Sequence, residues 1–483
     1  MKVEQIYTGC LAQGAYYIES NGEAVIIDPL RETQPYLEKL EEAGVKLKYI
    51  FETHFHADFV SGHIDLAKKT GATIVYGPNA ATSYDIYSAK DGEELVLGNV
   101  TFKVLHTPGH TMESTTYLLR DESGKDYAIF SGDTLFLGDV GRPDLAIKQG
   151  ELTKEDLAGF LFDSLREKIM TLSDDVIVYP AHGAGSACGK NLSKDTWGYL
   201  GDQKKLNYAL RENMTKAEFV REVTSGLTPP PSYFPKNAMM NKTGYESFDV
   251  VLEKGATPLT PARFEELVDT EEALMLDTRS EEEFSAEHIP GSIFIGMDSQ
   301  FAPWVGALIT DIQQPIVLIA PQGREEEAVT RLARVGYDNT IGYLEGGIEA
   351  WKAAGKETDS IESVTADELA TRMDAGLDGT VLDVRKPTEF LSQHVIGATN
   401  FPLDYINRNF NRLDGNETYY LHCLGGYRSL ITISILKARG YHNLVDITKG
   451  WKAIEESAVP KSDHVCPSTI TQEVIDEAVT AVV

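Results

Sequence analysis

The stretch KYIFETHFHADF, residues 48–59, starts as an apolar run and ends in Thr53-His54-Phe55-His56-Ala57-Asp58, three metal-capable side chains in five positions. Three later runs end the same way. VTFKVL leads into His106-Thr107-Pro108-Gly109-His110, YAIFS into Gly132-Asp133, and DVIVYP into Ala181-His182. Each run has the composition of a short strand. Ligands delivered from several strand ends converge on one sheet edge, where a rigid scaffold builds a metal site on loops. Upstream, YYIESNGEAVIIDP places Asn21-Gly22 between two apolar runs, a type I′ hairpin signal. The first half of the chain is therefore a sheet-rich domain with helices interspersed. Two ligand sets are open on spacing alone. His54, His56 and His110 make a three-histidine zinc site with one vacant position, whereas His54, His110 and Asp133 make a two-histidine, one-carboxylate face suited to iron(II).

The chain has 483 residues, 42% of them hydrophobic, enough for about three domains of ~150 residues. Its formal charge of -30 repels phosphate backbones and anionic lipid alike, so no nucleic acid or membrane partner is expected. The first residues hold no uninterrupted apolar run, and no stretch reaches the ~20 apolar residues of a membrane span. A cytoplasmic location is the expectation. Four scattered cysteines, Cys10, Cys188, Cys423 and Cys466, are too few for a disulfide framework and are expected to act as thiols.

The second half repeats itself. LMLDTRSEEEFSAEHIPGS (274–292) returns as TVLDVRKPTEFLSQHVIGA (380–398), pairing Asp277 with Asp383, Phe284 with Phe390, His288 with His394 and Gly291 with Gly397 at a constant offset. Trp351 and Trp451 read as a further pair. Apolar runs alternate with helical patterns in each copy, which predicts a parallel sheet flanked by helices. Between the halves, LTPPPSYFPKNAMMNKTGYE (227–246) can continue neither a helix nor a central strand, and the domain boundary is placed there. The reading is an α/β multidomain chain: a first domain over 1–240, repeats over 258–358 and 362–459, and a tail over 460–483 with a terminal helical pattern.

Cys423 lies in TYYLHCLGGYRS, after an apolar run and before a helical one. Gly425 and Gly426 let the loop curl so that its N–H groups face inward. The helix N-terminus and Arg428 add positive potential, which together favours a thiolate able to attack or carry sulfur. Leu424, Gly425, Gly426 and Tyr427 are the candidate binding loop. The first repeat reads VLIAPQGREEEAV at this place and has no cysteine, with Gly323-Arg324 as a remnant. Cys188, six residues past His182, could lie near the metal and sense or relay sulfur, or could pack as core. Cys10 reads as core and Cys466 as exposed tail.

The series THxHxD, TPGHT, GDTLF and YPAHG resembles the metallo-β-lactamase superfamily over residues 1 to about 240, which implies an αββα sandwich with a metal site between its loops. Where the two-metal hydrolases of that superfamily carry a histidine, this chain has Phe59, so one metal is expected. GDTLFLGDVGRPDL (132–145) resembles the persulfide dioxygenase branch. That resemblance implies one mononuclear iron(II) on His54, His110 and Asp133, with His56, Asp58 and His182 behind them, and zinc as the alternative. Arg142 is a candidate for pairing with an anionic part of the substrate. The Cys423 loop, with LDVRKPTEF, HVIGATNFPL and KGWKA, resembles the rhodaneses, and the first repeat resembles a rhodanese domain without its cysteine. The fusion implies oxidation of a low-molecular-weight persulfide by O2 to sulfite, coupled to sulfur transfer giving thiosulfate. A homo-oligomer is expected. The rivals are a zinc thioesterase of the glyoxalase II kind and a non-catalytic persulfide carrier or sensor.

Overall fold

The computed structural model describes residues 1–145, 152–190, 192–227 and 230–482; Thr228 and Pro229 of the proline-rich stretch, and Val483, lie outside the described residues. Two six-stranded sheets build the first half. The first takes Lys2–Thr8, Gln13–Ser20, Glu23–Ile27, Lys46–Phe51, Thr73–Tyr76 and Tyr87–Ser88 in spatial order. The second runs Gly198–Tyr199, Ile177–Pro180, Asp126–Gly132, Thr115–Arg120, Val100–His106 and Glu94–Leu97. The Asn21-Gly22 turn closes the hairpin pairing Ser20 with Glu23, both turn residues at positive φ as a type I′ turn requires.

The run AVII reads as continuous because both of its faces are buried. Val25 and Ile27, with Tyr16, Ile18 and Phe51, meet Phe102, Val104, Tyr117 and Phe130 of the other sheet. Ala24 and Ile26, with Tyr17, face helix residues Tyr36, Leu40 and Leu66. The outer face of the second sheet, through Leu105, Leu118, Ile129 and Val178, packs on Leu161, Leu165 and Phe219. The layers are helix, sheet, sheet, helix, as expected.

The two later sheets are wholly parallel and share one strand order. The first is Pro258–Leu259, Thr340–Leu344, Ile316–Ile319, Leu274–Asp277, Ile293–Phe294; the second is Glu362–Val364, Leu444–Ile447, Tyr419–His422, Thr380–Asp383, Thr399–Asn400. Helices open on side-chain caps, Ser280 with Glu283 and Thr365 with Glu368, each closing a reciprocal box. The repeat signatures are packing devices: His288 stacks on Phe284 at 4.2 Å and His394 on Phe390 at 4.0 Å, and Asp277 and Asp383 each hold the arginine two residues on. One pairing fails. Register sets Leu344 opposite Leu259 and Ile447 opposite Val364, so Gly346 corresponds to Lys449, Gly347 to Gly450 and Ile348 to Trp451. Trp351 and Trp451 are thus not equivalent: each helix buries two positions three apart, Ile348 with Trp351 and Trp451 with Ile454, and the tryptophan takes the opposite one in each repeat.

The chain divides into two compact units, Met1–Val251 with Thr330–Asp338, and Leu252–Val329 with Asn339–Val483. The stretch read as unable to continue a helix starts one: Phe234–Thr243 is helical, with Pro235 in its first turn, where a missing N–H costs nothing. Among the described residues, no helix is long and apolar enough to cross a membrane.

Candidate metal and sulfur-transfer sites

Strand ends carry the metal-capable residues to one edge of the sandwich. Gly132 has φ +53°, and a Cβ there would lie 2.6 Å from Thr53 Oγ1, so the strand bearing Asp133 approaches the one bearing His54 only through glycine. Thr53 is clamped by Asp28: its N–H donates to Oδ1 at 2.8 Å and its hydroxyl to Oδ2 at 2.9 Å. The same Oγ1 stands 2.9 Å from His54 Nδ1, which assigns the ring proton to Nδ1 and leaves the Nε2 lone pair for a metal. His110 is set alike, its Nδ1–H donating to the Arg142 carbonyl at 2.8 Å. The two Nε2 atoms lie 3.8 and 3.4 Å from Asp133 Oδ2.

His54, His110 and Asp133 thus bring one donor atom each within 4.8 Å of one another. Both Asp133 oxygens are buried and have no hydrogen-bond partner among the described residues, a costly state for a carboxylate unless a cation is bound. The donor set fits a divalent metal. Burial, then the neighbouring His56, His110 and His182, push His54 well below the usual imidazole range and so keep it a neutral ligand.

His56 belongs to two adjoining buried clusters, one with Asp58 and His182 and one with Asp28 and Glu52. Its Nε2 is 3.1 Å from Asp28 Oδ1 and 3.7 Å from Glu52 Oε2, and its ring lies on Phe59 at 4.3 Å. Burial opposes its charge, but Asp28, Glu52 and Asp58 lift it to about 9. Among the described residues no cluster joins His54, His56 and His110, the three-histidine set left open by spacing. Asp58 Oδ2 and His182 Nε2 are 3.5 Å apart, and His182 Nε2 is 3.5 Å from Asp133 Oδ1. Cys188 is buried within 4.8 Å of donor atoms on Asp133 and His182; burial and the carboxylates of Asp58 and Asp133 push its thiol well up.

Arg142, the candidate for pairing with an anionic part of the substrate, has partners within the fold. It is 4% exposed, forked onto Asp144 at 2.7 Å through both Nε and Nη2, and bonded to the Ala187 carbonyl; its service to the site is its own carbonyl on His110. One residue that mattered was missed. Asn241 is fully buried, donating to the carbonyls of His56 and Phe59 at 2.8 Å each and accepting from Ser61 N–H at 2.9 Å, so it staples the loop that bears Asp58. An asparagine within NAMMNKT has no sequence signal that separates it from a solvated one.

In the second repeat Cys423 follows the central strand, and register places Ala320 at its position in the first. Cys423 is 2% exposed, and its Sγ accepts from Gly426 N–H at 3.1 Å. The Cys423 carbonyl accepts from Trp451 N–H at 2.7 Å and that of Leu424 from Lys452 N–H at 3.1 Å. Gly450, φ +56°, is obligatory beneath the loop, since a Cβ there would lie 2.4 Å from the Cys423 oxygen. Leu424 and Gly425 are exposed, and Gly426 lies at φ +117°. Two residues of the loop have partners within the fold. Tyr427 donates its hydroxyl to the Gly296 carbonyl of the first repeat at 2.9 Å. Arg428 is forked onto Glu389 at 2.7 and 2.9 Å, so its charge is already matched by an acid. Ser429 Oγ sits 2.8 Å from the Gly426 carbonyl and 2.6 Å from Asp446, whose carboxyl burial pushes up to about 6. In the first repeat Arg324 is taken by Asp298 and Glu327.

The metallo-beta-lactamase superfamily model matches residues 8–182, and the rhodanese-like domain model matches 260–354 and 365–457. A structure of a metallo-beta-lactamase from Staphylococcus aureus subsp. aureus COL is 33% identical with TM-score 0.64, covering 71% of this chain and 98% of that one. The mitochondrial persulfide dioxygenase of Homo sapiens is 33% identical over 33% of this chain, and a hydroxyacylglutathione hydrolase of Haemophilus influenzae is 27% identical over 39%. The match spans 59% of the length of the human protein and 94% of the Haemophilus one. The chain belongs to the metallo-β-lactamase superfamily and carries two rhodanese-like domains after the sandwich. Its architecture is a metallo-β-lactamase fold with a buried cluster of metal-capable histidines and aspartates, followed by two rhodanese-like domains.

Proposed function

We propose that the chain oxidises a low-molecular-weight persulfide to sulfite at iron(II) held by His54, His110 and Asp133, and that Cys423 transfers sulfane sulfur to sulfite. The observation that carries this reading is the donor set itself: two imidazoles meet one buried carboxylate that has no hydrogen-bond partner among the described residues, while His56 Nε2 lies 3.1 Å from Asp28. Held by these two histidines and the carboxylate, iron(II) would supply the redox chemistry for oxidation of the persulfide by O2. The likeness to the human persulfide dioxygenase supports the same chemistry. The balance is RSSH + O2 + H2O → RSH + sulfite + 2 H⁺. Around the metal, His110 is oriented by the Arg142 carbonyl, His54 by Thr53, and the buried setting keeps bulk water away from the sulfur.

At the second site the Cys423 thiolate attacks the outer sulfur of RSSH. The Cys423 S–S bond forms, the RS–S bond breaks, and RS⁻ leaves with the proton. Sulfite then attacks the Cys423 outer sulfur, releasing thiosulfate and restoring the thiolate. The Gly426 N–H on Sγ stabilises the anion in both states. Covalent linkage of the two domains raises the concentration of sulfite at Cys423. A zinc thioesterase is the second reading, favoured by the match to a hydroxyacylglutathione hydrolase. Metal analysis with oxygen uptake on glutathione persulfide separates them. Iron and uptake that vanish in Asp133→Ala, with thiosulfate formation lost in Cys423→Ser, are expected. Stoichiometric zinc with no oxygen uptake refutes the dioxygenase reading, and full-rate thiosulfate from Cys423→Ser refutes the transfer step.

A further inference from the structure

Beside the Cys423 loop lies a groove of about 740 Å³, lined by Gly425 of the loop and by Thr365, Asp367, Lys449, Lys452 and Glu456 among others. That size suits a small molecule, not a polymer. Lys449 occupies the turn into the helix Gly450–Glu455 at φ +61°, a left-handed conformation that a non-glycine residue adopts only against steric cost. The first repeat makes the same turn with Gly346 at φ +72°. Of the two copies, therefore, the one with the cysteine places a lysine where glycine fits better. A strained backbone next to a reactive loop points to a side chain wanted there for its chemistry.

The charges of the groove are mixed and unspent. Among the described residues, neither Lys449 nor Lys452 forms an ion pair or a side-chain hydrogen bond, and Asp367 and Glu456 likewise have no ion-pair partner. Two cations and two carboxylates that do not neutralise one another fit a ligand carrying both signs. The groove adjoins the loop through its backbone: Gly425, two residues past Cys423, lines it, and Lys452 N–H holds the Leu424 carbonyl at 3.1 Å.

We propose that this groove binds the carrier thiol of the Cys423 substrate, and that the carrier is zwitterionic, an amino-acid or peptide thiol whose carboxylate is met by Lys449 and Lys452 and whose ammonium is met by Asp367 and Glu456. A polyphosphorylated carrier would meet two carboxylates and is disfavoured. The inference rests on Cys423 carrying sulfur, which Cys423→Ser tests separately.

The test measures sulfur transfer to sulfite by the full chain with three probes: glutathione persulfide, coenzyme A persulfide and the persulfide of uncharged 2-mercaptoethanol. Lys449→Gly installs the residue of the sister repeat and relieves the backbone, so folding is safeguarded. It should lower kcat/KM for glutathione persulfide about five-fold, chiefly through KM, as befits one exposed charge contact. Lys449→Glu should lower it further, Lys449→Arg should keep it, and the uncharged probe should be unaffected by all three. Alkylation of Cys423 by iodoacetamide should be unchanged, which excludes damage to the loop. Equal losses with charged and uncharged probes, an altered alkylation rate, no loss in Lys449→Glu, or a wild-type preference for coenzyme A persulfide would overturn the proposal while leaving the role of Cys423 intact.

Discussion

Asn241→Ala is the substitution whose effect the structure defines best. The side chain is fully buried and satisfies three backbone groups of the metal loop: the carbonyls of His56 and Phe59, and the N–H of Ser61. Truncation strands all three in a site with no other partner for them. Each stranded buried group costs about 1–3 kcal/mol, so the low end, which allows for relaxation and a water in the vacated space, is about 3 kcal/mol. For a folding unit of this size that corresponds to a melting shift of roughly 6–12 °C. The loop also bears Asp58 and leads on from His54, so metal affinity should fall about ten-fold or more, as for loss of an outer support to a ligand. Thermal denaturation of metal-free protein isolates the first effect, and competition with a chelator the second. A melting point within about 2 °C of wild type, or unchanged metal affinity, would show that Asn241 only fills space.

Asp446 is pushed up to about 6 in the fold against an ordinary 3.8, so its contribution is full below pH 3.8, falls as pH rises through 6, and is flat above. Asp446→Asn should remove that slope and raise stability at pH 7 by roughly 1–3 kcal/mol, read as urea midpoints across pH 4–7; an unchanged slope would show that Asp446 stays ionised. Gly450→Ala drives a Cβ to 2.4 Å from the Cys423 oxygen, and should cut sulfur transfer about ten-fold while oxygen uptake at the metal stays intact; wild-type transfer would show that the loop yields freely. Removing metal with a chelator should lower the stability of the unit holding His54, His110 and Asp133 by about 2.7 kcal/mol relative to protein in a hundred-fold excess of metal over Kd. A melting curve indifferent to chelation would mean that no cation relieves the orphaned Asp133 carboxylate.

Much of the fold was legible because its signals are local. Asn21-Gly22 announces its turn, the four apolar runs ending in histidine or aspartate announce their strands, and the 106-residue offset between Asp277 and Asp383 announces the repeat. The Trp351 and Trp451 pairing misled because two positions three apart on one buried helix face can exchange a tryptophan and an isoleucine, so a shared residue type does not ensure a shared position. The helix Phe234–Thr243 was hidden by prolines, which break a helix from within but begin one readily.

The amino-acid order by itself determined which residues are available to bind metal or carry sulfur, and that only the second repeat holds a cysteine, since residue identity and strand-end position need no knowledge of the rest of the chain. Tertiary structure alone decided how each one is used. Asp28 and Glu52 flank His56 Nε2, Asp144 and Glu389 occupy Arg142 and Arg428, and Asn241 reaches 185 positions back to the His56 carbonyl. The physical reason is that a charge or a hydrogen-bonding group is committed by its nearest partner in space, and those partners come from distant segments that meet only when the sheets pack.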